Sequence, residues 1–259
     1  MPLPTFVIAG AQKCGTSTLV ATLRRHPQIH MAKPKELHFF DRARNRDKGL
    51  EWYAEQFAPK GEQVQWGEAS PTYIYEDVAR HAMCEGLPDA KIVVILRDPA
   101  KRAYSHFWHS RRLGFDDVET FEEAIDLEPE RMATDDRRFH MRFSYLDRGH
   151  YIEQLEDLTA RHDRSKTHVM LLDDLGNDRI PTLEALMEFL EVDPSYATSI
   201  KEQWTNKYRV AEKPGGEQKV VAYPPLPPET RARMVEHFRP WNDRLAEWLG
   251  RDLSAWNTV

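Results

Sequence analysis

Residues 5–18 read TFVIAGAQKCGTST, and this stretch decides the fold. Thr5–Ala9 is a short apolar run that predicts a buried strand, and it ends at Gly10. A helix is predicted to begin near Thr16, because apolar residues return on one face at helical spacing up to Leu23. A strand, a glycine loop and a helix in this order predict a phosphate cradle, since loop N–H groups and a helix N-terminus both favour an anion.

The loop differs from the one that binds nucleoside triphosphates. Gly10 and Gly15 have the spacing of GxxxxGK[ST], but Thr16 stands where that motif has its lysine. The lysine of this loop is Lys13, two residues before the second glycine. The pattern therefore favours an anion site without magnesium triphosphate, and the alternative is an ordinary helix N-cap at Thr16 or Ser17.

Strands and helices alternate along the rest of the chain. Further strands are predicted at 63–68, 91–96 and 167–172, and helices near 50–57, 75–85, 119–126, 150–162, 181–191, 228–238 and 241–249, with one more beginning at Pro99. This order predicts an α/β sandwich with a parallel sheet of four or five strands. Ligands bind beyond the carboxyl ends of such strands, so Gly10–Thr18, Glu68–Pro71 and Arg97–Ser105 are expected at one edge.

Two further segments carry candidate functional side chains. In the first, Arg97 directly follows the predicted strand 91–96, and Ser105 lies eight residues later on the next helix. The guanidinium of arginine is always charged and presents a fork of N–H donors, so Arg97 and Ser105 could bind one phosphate together. The alternative is a surface pair between Arg97 and Asp98. In the second, KPKELHFFD at 33–41 offers Glu36 and His38, which point the same way if the segment is extended.

Three ordered motifs, QKCGTSTL at 12–19, KELHFF at 35–40 and LRDPAKRAYS at 96–105, resemble the sulfotransferases that use 3′-phosphoadenosine 5′-phosphosulfate (PAPS). The chain is most similar to the heparan-sulfate N- and 3-O-sulfotransferases and their soluble bacterial relatives. The resemblance is clear from Phe6 to about Ser110 and thin beyond. It implies a P-loop NTPase-like three-layer sandwich and a single domain over 1–259, with a cofactor-binding core at 5–110 and 165–225 and acceptor-side and lid segments at 111–150 and 205–223.

The resemblance also assigns the cofactor site. The 5′-phosphosulfate would lie on Lys13, Cys14, Gly15, Thr16, Ser17 and Thr18, and the 3′-phosphate on Arg97 and Ser105. Lys13 would stabilise the charge that grows on the leaving oxygen during transfer. The family closes the cofactor site with a Lys-Gly-Arg element, of which only Lys219 remains, so Arg209, or Gly215 with Gly216, is expected to contribute instead.

On the acceptor side, the resemblance makes Glu36 the general base, assisted by His38. The apolar pair Phe39–Phe40 is expected to raise the pKa of the base toward the working pH, and the alternative is an edge strand with its charges in solvent. Glu68 is expected to be a second acid or base, or a helix-capping carboxylate. The family's lysine after this glutamate is Ala69 here, which argues against a highly sulfated glycan acceptor.

Composition excludes several other classes of protein. With 36 Lys plus Arg, 42 Asp plus Glu and a net charge of −6, the chain lacks the basic surplus of a nucleic-acid binder. It has no apolar run near the ~18 residues of a transmembrane helix, no signal-peptide pattern, and only two cysteines. A reducing cytoplasm is the expected location.

The expected function is sulfonate transfer from PAPS to a hydroxyl, in preference to an amine, of a small-molecule or glycan acceptor. Adenosine 3′,5′-bisphosphate would be the product, and no metal is expected to take part. Two alternatives remain open at this point: a P-loop kinase or NTPase, and a non-catalytic nucleotide-binding module. The sequence leaves the oligomeric state undetermined.

Overall fold

Five parallel strands form the central sheet of the computed structural model, which describes residues 2–58, 60–200, 209–211, 218–220 and 223–259. The strands are β1 (Phe6–Gly10), β2 (Ile29–Met31), β3 (Gln65–Ala69), β4 (Lys91–Leu96) and β5 (Thr167–Leu171), in the order β2-β3-β1-β4-β5. Phe6 at the start of β1 is in register with Gly67 of β3 and Lys91 of β4. The expected parallel sheet and α/β class are confirmed.

Helices fill the connections between the strands. They are α1 (Thr16–Leu23), α2 (Ala43–Arg46), α3 (Gly49–Ala54), α4 (Asp77–Gly86), α5 (Pro99–Arg112), α6 (Phe121–Asp126), α7 (Glu128–Met132), α8 (Arg137–Phe143), α9 (Tyr151–Arg161), α10 (Leu172–Asn177), α11 (Arg179–Phe189), α12 (Tyr196–Ser199) and α13 (Pro228–Leu249). Short 3₁₀ helices span Asp147–Gly149, Arg164–Lys166 and Ser254–Asn257, and β6 (Arg209–Ala211) pairs antiparallel with β7 (Gln218–Val220).

The chain divides into two compact units. The first comprises Met1–Arg97 and Gln154–Thr205 and contains the five-stranded sheet. Its strand β4 (KIVVIL) is buried from Ile92 to Leu96, as expected for the middle of a parallel sheet covered on both faces. The second comprises Asp98–Glu153 and Asn206–Val259. The prediction that 1–259 forms one domain stays a prediction.

The second unit has its own apolar core, built by α5, α6 and the last long helix. Ala103 and Phe107 of α5 belong to one buried cluster with Phe121 of α6 and Phe238 of α13. Asp98 begins α5 by accepting hydrogen bonds from the N–H groups of Ala100 and Lys101, and Pro99 occupies the first turn as expected.

One element differs clearly from the sequence prediction. The predicted helices 228–238 and 241–249 are a single helix, α13, with Pro240 inside it. Proline removes one backbone N–H from a helix. The helix nevertheless continues, since Phe238 before the proline and Leu245 after it are both buried. Among the described residues, no helix combines the length and apolar character needed to cross a membrane.

Candidate active site

The loop after β1 is shaped by two glycines that cannot be replaced without collision. A Cβ on Gly10 would come within 2.2 Å of the Cγ2 of Ile74, and one on Gly15 within 2.6 Å of the Cδ1 of Leu172. Gly15 also has a φ of 92°, the left-handed region that favours glycine. These contacts set the loop against the segments that follow β3 and β5.

Gly15 is the N-cap of α1, and no side chain caps this helix. The alternative of an N-cap made by Thr16 or Ser17 is therefore wrong. The first turn of α1 carries no acidic residue, and the N–H groups of a first turn lack partners inside their own helix. This end of α1 is suited to an anion, because its dipole and its donors both favour negative charge.

The side chains of the loop differ in exposure. Lys13 is half-buried and has a φ of 69°, whereas Thr16 and Thr18 are buried and Ser17 is half-buried. The Cys14 side chain is fully buried and its N–H donates to the carbonyl of Ala11 at 3.2 Å. Cys14 therefore helps to shape the loop.

A second loop, residues 33–41, leaves β2 at the same carboxyl edge of the sheet. The expected extended conformation is wrong, because Glu36 and His38 have φ values of 66° and 52°. The expected meeting of the two side chains is nevertheless present, with Glu36 Oε2 3.5 Å from His38 Nε2. Lys35 Nζ forms an ion pair with Glu36 Oε1. We call residues 36–41 the base loop.

Asp41 completes this group, and the sequence analysis missed it. Its Oδ2 lies 2.7 Å from His38 Nδ1 and accepts a hydrogen bond from Thr72 Oγ1 at 3.1 Å. The Asp41 side chain is 0% exposed, so it interacts with these partners and not with solvent. The sequence signal was an acid three residues after His38, but the two side chains meet only because the loop turns back on itself.

Electrostatics hold this group in one charge state. Burial alone would lower the pKa of His38, but its bonds to Asp41 and Glu36 outweigh that cost and raise the pKa to about 9. Burial would raise the pKa of Glu36, but the bond from His38 and the charge of Lys35 bring it down to about 2. At neutral pH Glu36 is therefore a carboxylate and His38 an imidazolium.

The expectation that Phe39 and Phe40 form an apolar wall that raises the pKa of Glu36 is wrong. Phe39 and Phe40 are 4% and 2% exposed and pack on buried tyrosines, with the Phe39 ring stacked 4.3 Å from that of Tyr53. The Glu36 side chain is instead 39% exposed. The phenylalanines therefore anchor the base loop to the core and leave Glu36 facing outward.

Glu68 lies in β3 beneath the base loop and is 1% exposed. Its contacts are the hydroxyls of Tyr53 (2.7 Å) and Tyr73 (2.8 Å) at Oε1, and the Ser70 hydroxyl (2.7 Å) and Leu37 N–H (3.3 Å) at Oε2. Burial raises the pKa of Glu68 and these four bonds oppose the rise. Both oxygens are engaged, so the contacts describe a buried anchor and give no support to a direct acid–base role.

The predicted phosphate ligands Arg97 and Ser105 fall in different units. Arg97 directly follows β4 at the carboxyl edge of the sheet and is half-buried, and Ser105 is half-buried on α5. Asp98 is 1% exposed and pairs with Arg231 at 2.7 Å while it caps α5. Asp98 is therefore not a surface residue as that alternative required, and the joint binding of a phosphate by Arg97 and Ser105 stays a prediction.

Arg209 and Lys219 lie on the small antiparallel ribbon. Arg209 is opposite Val220, and Val210 is opposite Lys219. The side chains of this ribbon and all of residues 212–217 lie outside the described residues, so these assignments stay predictions. In the part of the chain that is described, no three His, Cys, Asp or Glu side chains converge as metal ligands.

Comparison with known proteins places this geometry in a family. The model of the Sulfotransferase domain matches residues 3–213. Mouse bifunctional heparan sulfate N-deacetylase/N-sulfotransferase 4 is 30% identical over 281 residues, covering 98% of this chain and 31% of the mouse protein. Human bifunctional heparan sulfate N-deacetylase/N-sulfotransferase 3 is 29% identical over 279 residues with the same shares. The chain thus spans about a third of the length of these relatives.

Solved structures agree with the sequence matches. The sulfotransferase from Alicyclobacillus acidocaldarius superposes with a TM-score of 0.78 at 25% identity, covering 100% of both chains. Mouse sulfotransferase SULT7A1, solved in complex with PAP, has the same fold, with a TM-score of 0.60 at 15% identity over 95% of this chain and 87% of that chain. By its family match and its relatives, the chain belongs to the sulfotransferase family.

Proposed function

We propose that this chain transfers the sulfonate group of PAPS to a hydroxyl of a small-molecule or glycan acceptor, with an amine as the second acceptor class. The observation that carries the proposal is the Glu36–His38–Asp41 group, at the same sheet edge as the lysine-containing loop. The Glu36 carboxylate is ionised at neutral pH and its side chain is 39% exposed, so it can accept a proton from a bound acceptor.

The residues of the first loop fit the anionic end of this cofactor. The first turn of α1 carries no acid, Gly15 leaves no room for a side chain, and Lys13 adds a cation to the loop. When bound, the cofactor supplies the activated sulfonate. Lys13 and the loop N–H groups stabilise the negative charge that grows on the leaving oxygen, which favours the transition state over the ground state.

Glu36 is the group that accepts the proton of the acceptor. Its pKa of about 2 makes Glu36 a weak base, so the proton moves late, when the acceptor hydroxyl has become strongly acidic because its oxygen bonds to sulfur. His38 orients the Glu36 carboxylate through the 3.5 Å contact, and Asp41 fixes the imidazolium from the other side at 2.7 Å. Positioning and electrostatics supply most of the catalysis, as in phosphoryl transfer.

The competing functions account for fewer of these features. A P-loop kinase or NTPase requires lysine at the position of Thr16. A non-catalytic nucleotide-binding module leaves the base loop unexplained. Ala69, which replaces the family's lysine, favours an acceptor of low charge. The cytoplasmic location expected from the sequence is part of the proposal.

Two measurements test the proposal. Thermal shifts are compared for adenosine 3′,5′-bisphosphate and for ATP or GTP with Mg²⁺, and radiolabelled sulfonate from PAPS is offered to a panel of alcohols, amines and glycans. We expect a shift with the bisphosphate and label on a hydroxyl acceptor. Stabilisation by the triphosphates alone would overturn the proposal.

A further inference from the structure

Two buried hydroxyls connect Glu68 to the backbone of the base loop. Ser70 and Tyr73 each donate their hydroxyl to Glu68, at 2.7 and 2.8 Å, and each accepts backbone N–H groups from residues 38–40. The bonds run from His38 N–H to Ser70 Oγ at 3.2 Å, and from Phe39 and Phe40 N–H to Tyr73 Oη at 2.7 and 3.3 Å. With the direct bond from Leu37, four consecutive N–H groups end on this network.

The backbone N–H groups of the base loop fix the direction of these bonds. A backbone N–H only donates, so the oxygens of Ser70 and Tyr73 accept from the loop and each hydroxyl turns its single hydrogen toward Glu68. The lone pairs of Ser70 and Tyr73 are then left facing the loop N–H groups. Because Ser70 is 0% and Tyr73 is 0% exposed, neither hydroxyl can replace a lost bond with bulk water.

This support acts on a strained piece of backbone. Glu36 and His38 both have left-handed φ angles, which are strained for a non-glycine residue. The same two angles bring Glu36 Oε2 to within 3.5 Å of His38 Nε2. The N–H of Leu37 between them is held by Glu68, and its carbonyl accepts from Asn45 Nδ2 at 3.0 Å. The hydrogen bonds thus offset the strain of the geometry that the reaction needs.

We propose that Tyr73 and Ser70, with their hydroxyls ordered by Glu68, are positioning residues that hold Glu36 and His38 in their reactive arrangement. This inference rests on the proposed function, because it concerns the same acceptor-activating group. Glu68 acts through the two hydroxyls and through Leu37 and does not meet the acceptor itself.

Tyr53 provides a matched control. Its hydroxyl donates to the same Glu68 Oε1 at 2.7 Å, and its side chain is 0% exposed like that of Tyr73. In the described residues, however, no hydrogen bond joins the Tyr53 hydroxyl to the backbone of the base loop. Tyr73→Phe and Tyr53→Phe therefore remove the same group from the same carboxylate, but only the first removes a support of the loop.

The experiment compares these two variants in the whole chain. The pKa of the His38 imidazole is followed by NMR titration, and kcat and the KM for PAPS are measured separately. For Tyr73→Phe we expect the pKa of His38 to fall from about 9 toward 6.5 by about one unit or more, and kcat to fall about tenfold with KM within about twofold. Tyr53→Phe should lose stability while the pKa of His38 and kcat stay near the wild-type values.

Equal changes in the two variants, or no change in Tyr73→Phe, would overturn the positioning role. If Tyr73→Phe does not fold, Ser70→Ala replaces it and should show the same directions at smaller size, and an unaltered pKa of His38 in that variant counts against the role. The titration needs no turnover. A selective fall in the pKa of His38 without any sulfonate transfer by the wild type would therefore contradict only the proposed function.

Discussion

Nδ1 of His38 lies 2.7 Å from Oδ2 of Asp41, a carboxylate with no exposed side-chain surface. Such a pair ties the folding equilibrium to pH. The pKa of His38 is higher in the folded chain, about 9, than its unfolded value of 6.5, so its contribution to stability is complete below about pH 6.5 and is lost as the pH rises through about 9. The difference corresponds to about 3 kcal/mol, which solvent around the partly exposed His38 side chain reduces to about 2 kcal/mol.

Asp41→Asn should remove most of this pH dependence, because the amide keeps the size of the side chain but not its charge. We expect the wild type to lose about 2 kcal/mol of unfolding free energy between about pH 6 and about pH 10, and the variant to lose less than half of that. Urea unfolding followed by circular dichroism measures both. Asp47→Asn, an exposed change in the same unit, is the control, and parallel pH profiles for wild type and Asp41→Asn would refute the assignment.

Glu36→Gln tests the group that takes the proton. The amide cannot accept a proton but has the same shape, so adenosine 3′,5′-bisphosphate should give the wild-type thermal shift while turnover falls at least about a hundredfold. Glu55→Gln, an exposed acid of the same unit, should keep full turnover. Normal turnover in the Glu36 variant would remove this residue from the base role.

The fold followed from local pattern wherever that pattern was strong. The run KIVVIL predicted β4 with both of its ends, because a central strand is apolar throughout. Strand β2 escaped notice, since Ile29–Met31 has only three residues with a histidine in the middle and depends on pairing with β3. Pro240 misled the prediction of α13, because tertiary burial on both sides of the proline outweighs its local effect.

The candidate site was predictable only in part, because its geometry depends on contacts between residues far apart in sequence. Glu36 and His38 were paired correctly, but through an extended backbone that the structure replaces with two left-handed residues. The contacts of Glu68 could not be predicted from sequence, since two of its four donors, Tyr53 and Leu37, lie 15 and 31 positions away. Long-range hydrogen bonds leave no periodic signal in the chain.

Gly15→Ala tests the shape of the cofactor loop. The new Cβ combines a left-handed φ with an approach of 2.6 Å to Leu172 Cδ1, so we expect about 1–3 kcal/mol of destabilisation and about tenfold weaker binding of adenosine 3′,5′-bisphosphate. Gly114→Ala is the matched control, because Gly114 has a φ of 69° and nothing within 4 Å of the added atom. Titration calorimetry and thermal unfolding measure the two effects. Unchanged nucleotide binding in Gly15→Ala would show that this loop does not bind the cofactor.

Arg97→Ala tests the prediction that Arg97, which follows β4, binds the 3′-phosphate of the cofactor. A guanidinium that grips a phosphate makes charge-assisted hydrogen bonds, and their loss should weaken adenosine 3′,5′-bisphosphate by about 10- to 100-fold. Binding of 5′-AMP, which lacks the 3′-phosphate, should change by less than about threefold. Calorimetric titration of both nucleotides measures the difference, with Lys101→Ala, an exposed cation on α5, as the control for a general loss of positive charge. An equal loss for both nucleotides would mean that Arg97 acts on the shared part of the cofactor or on the fold, since only a direct contact with the 3′-phosphate separates the two.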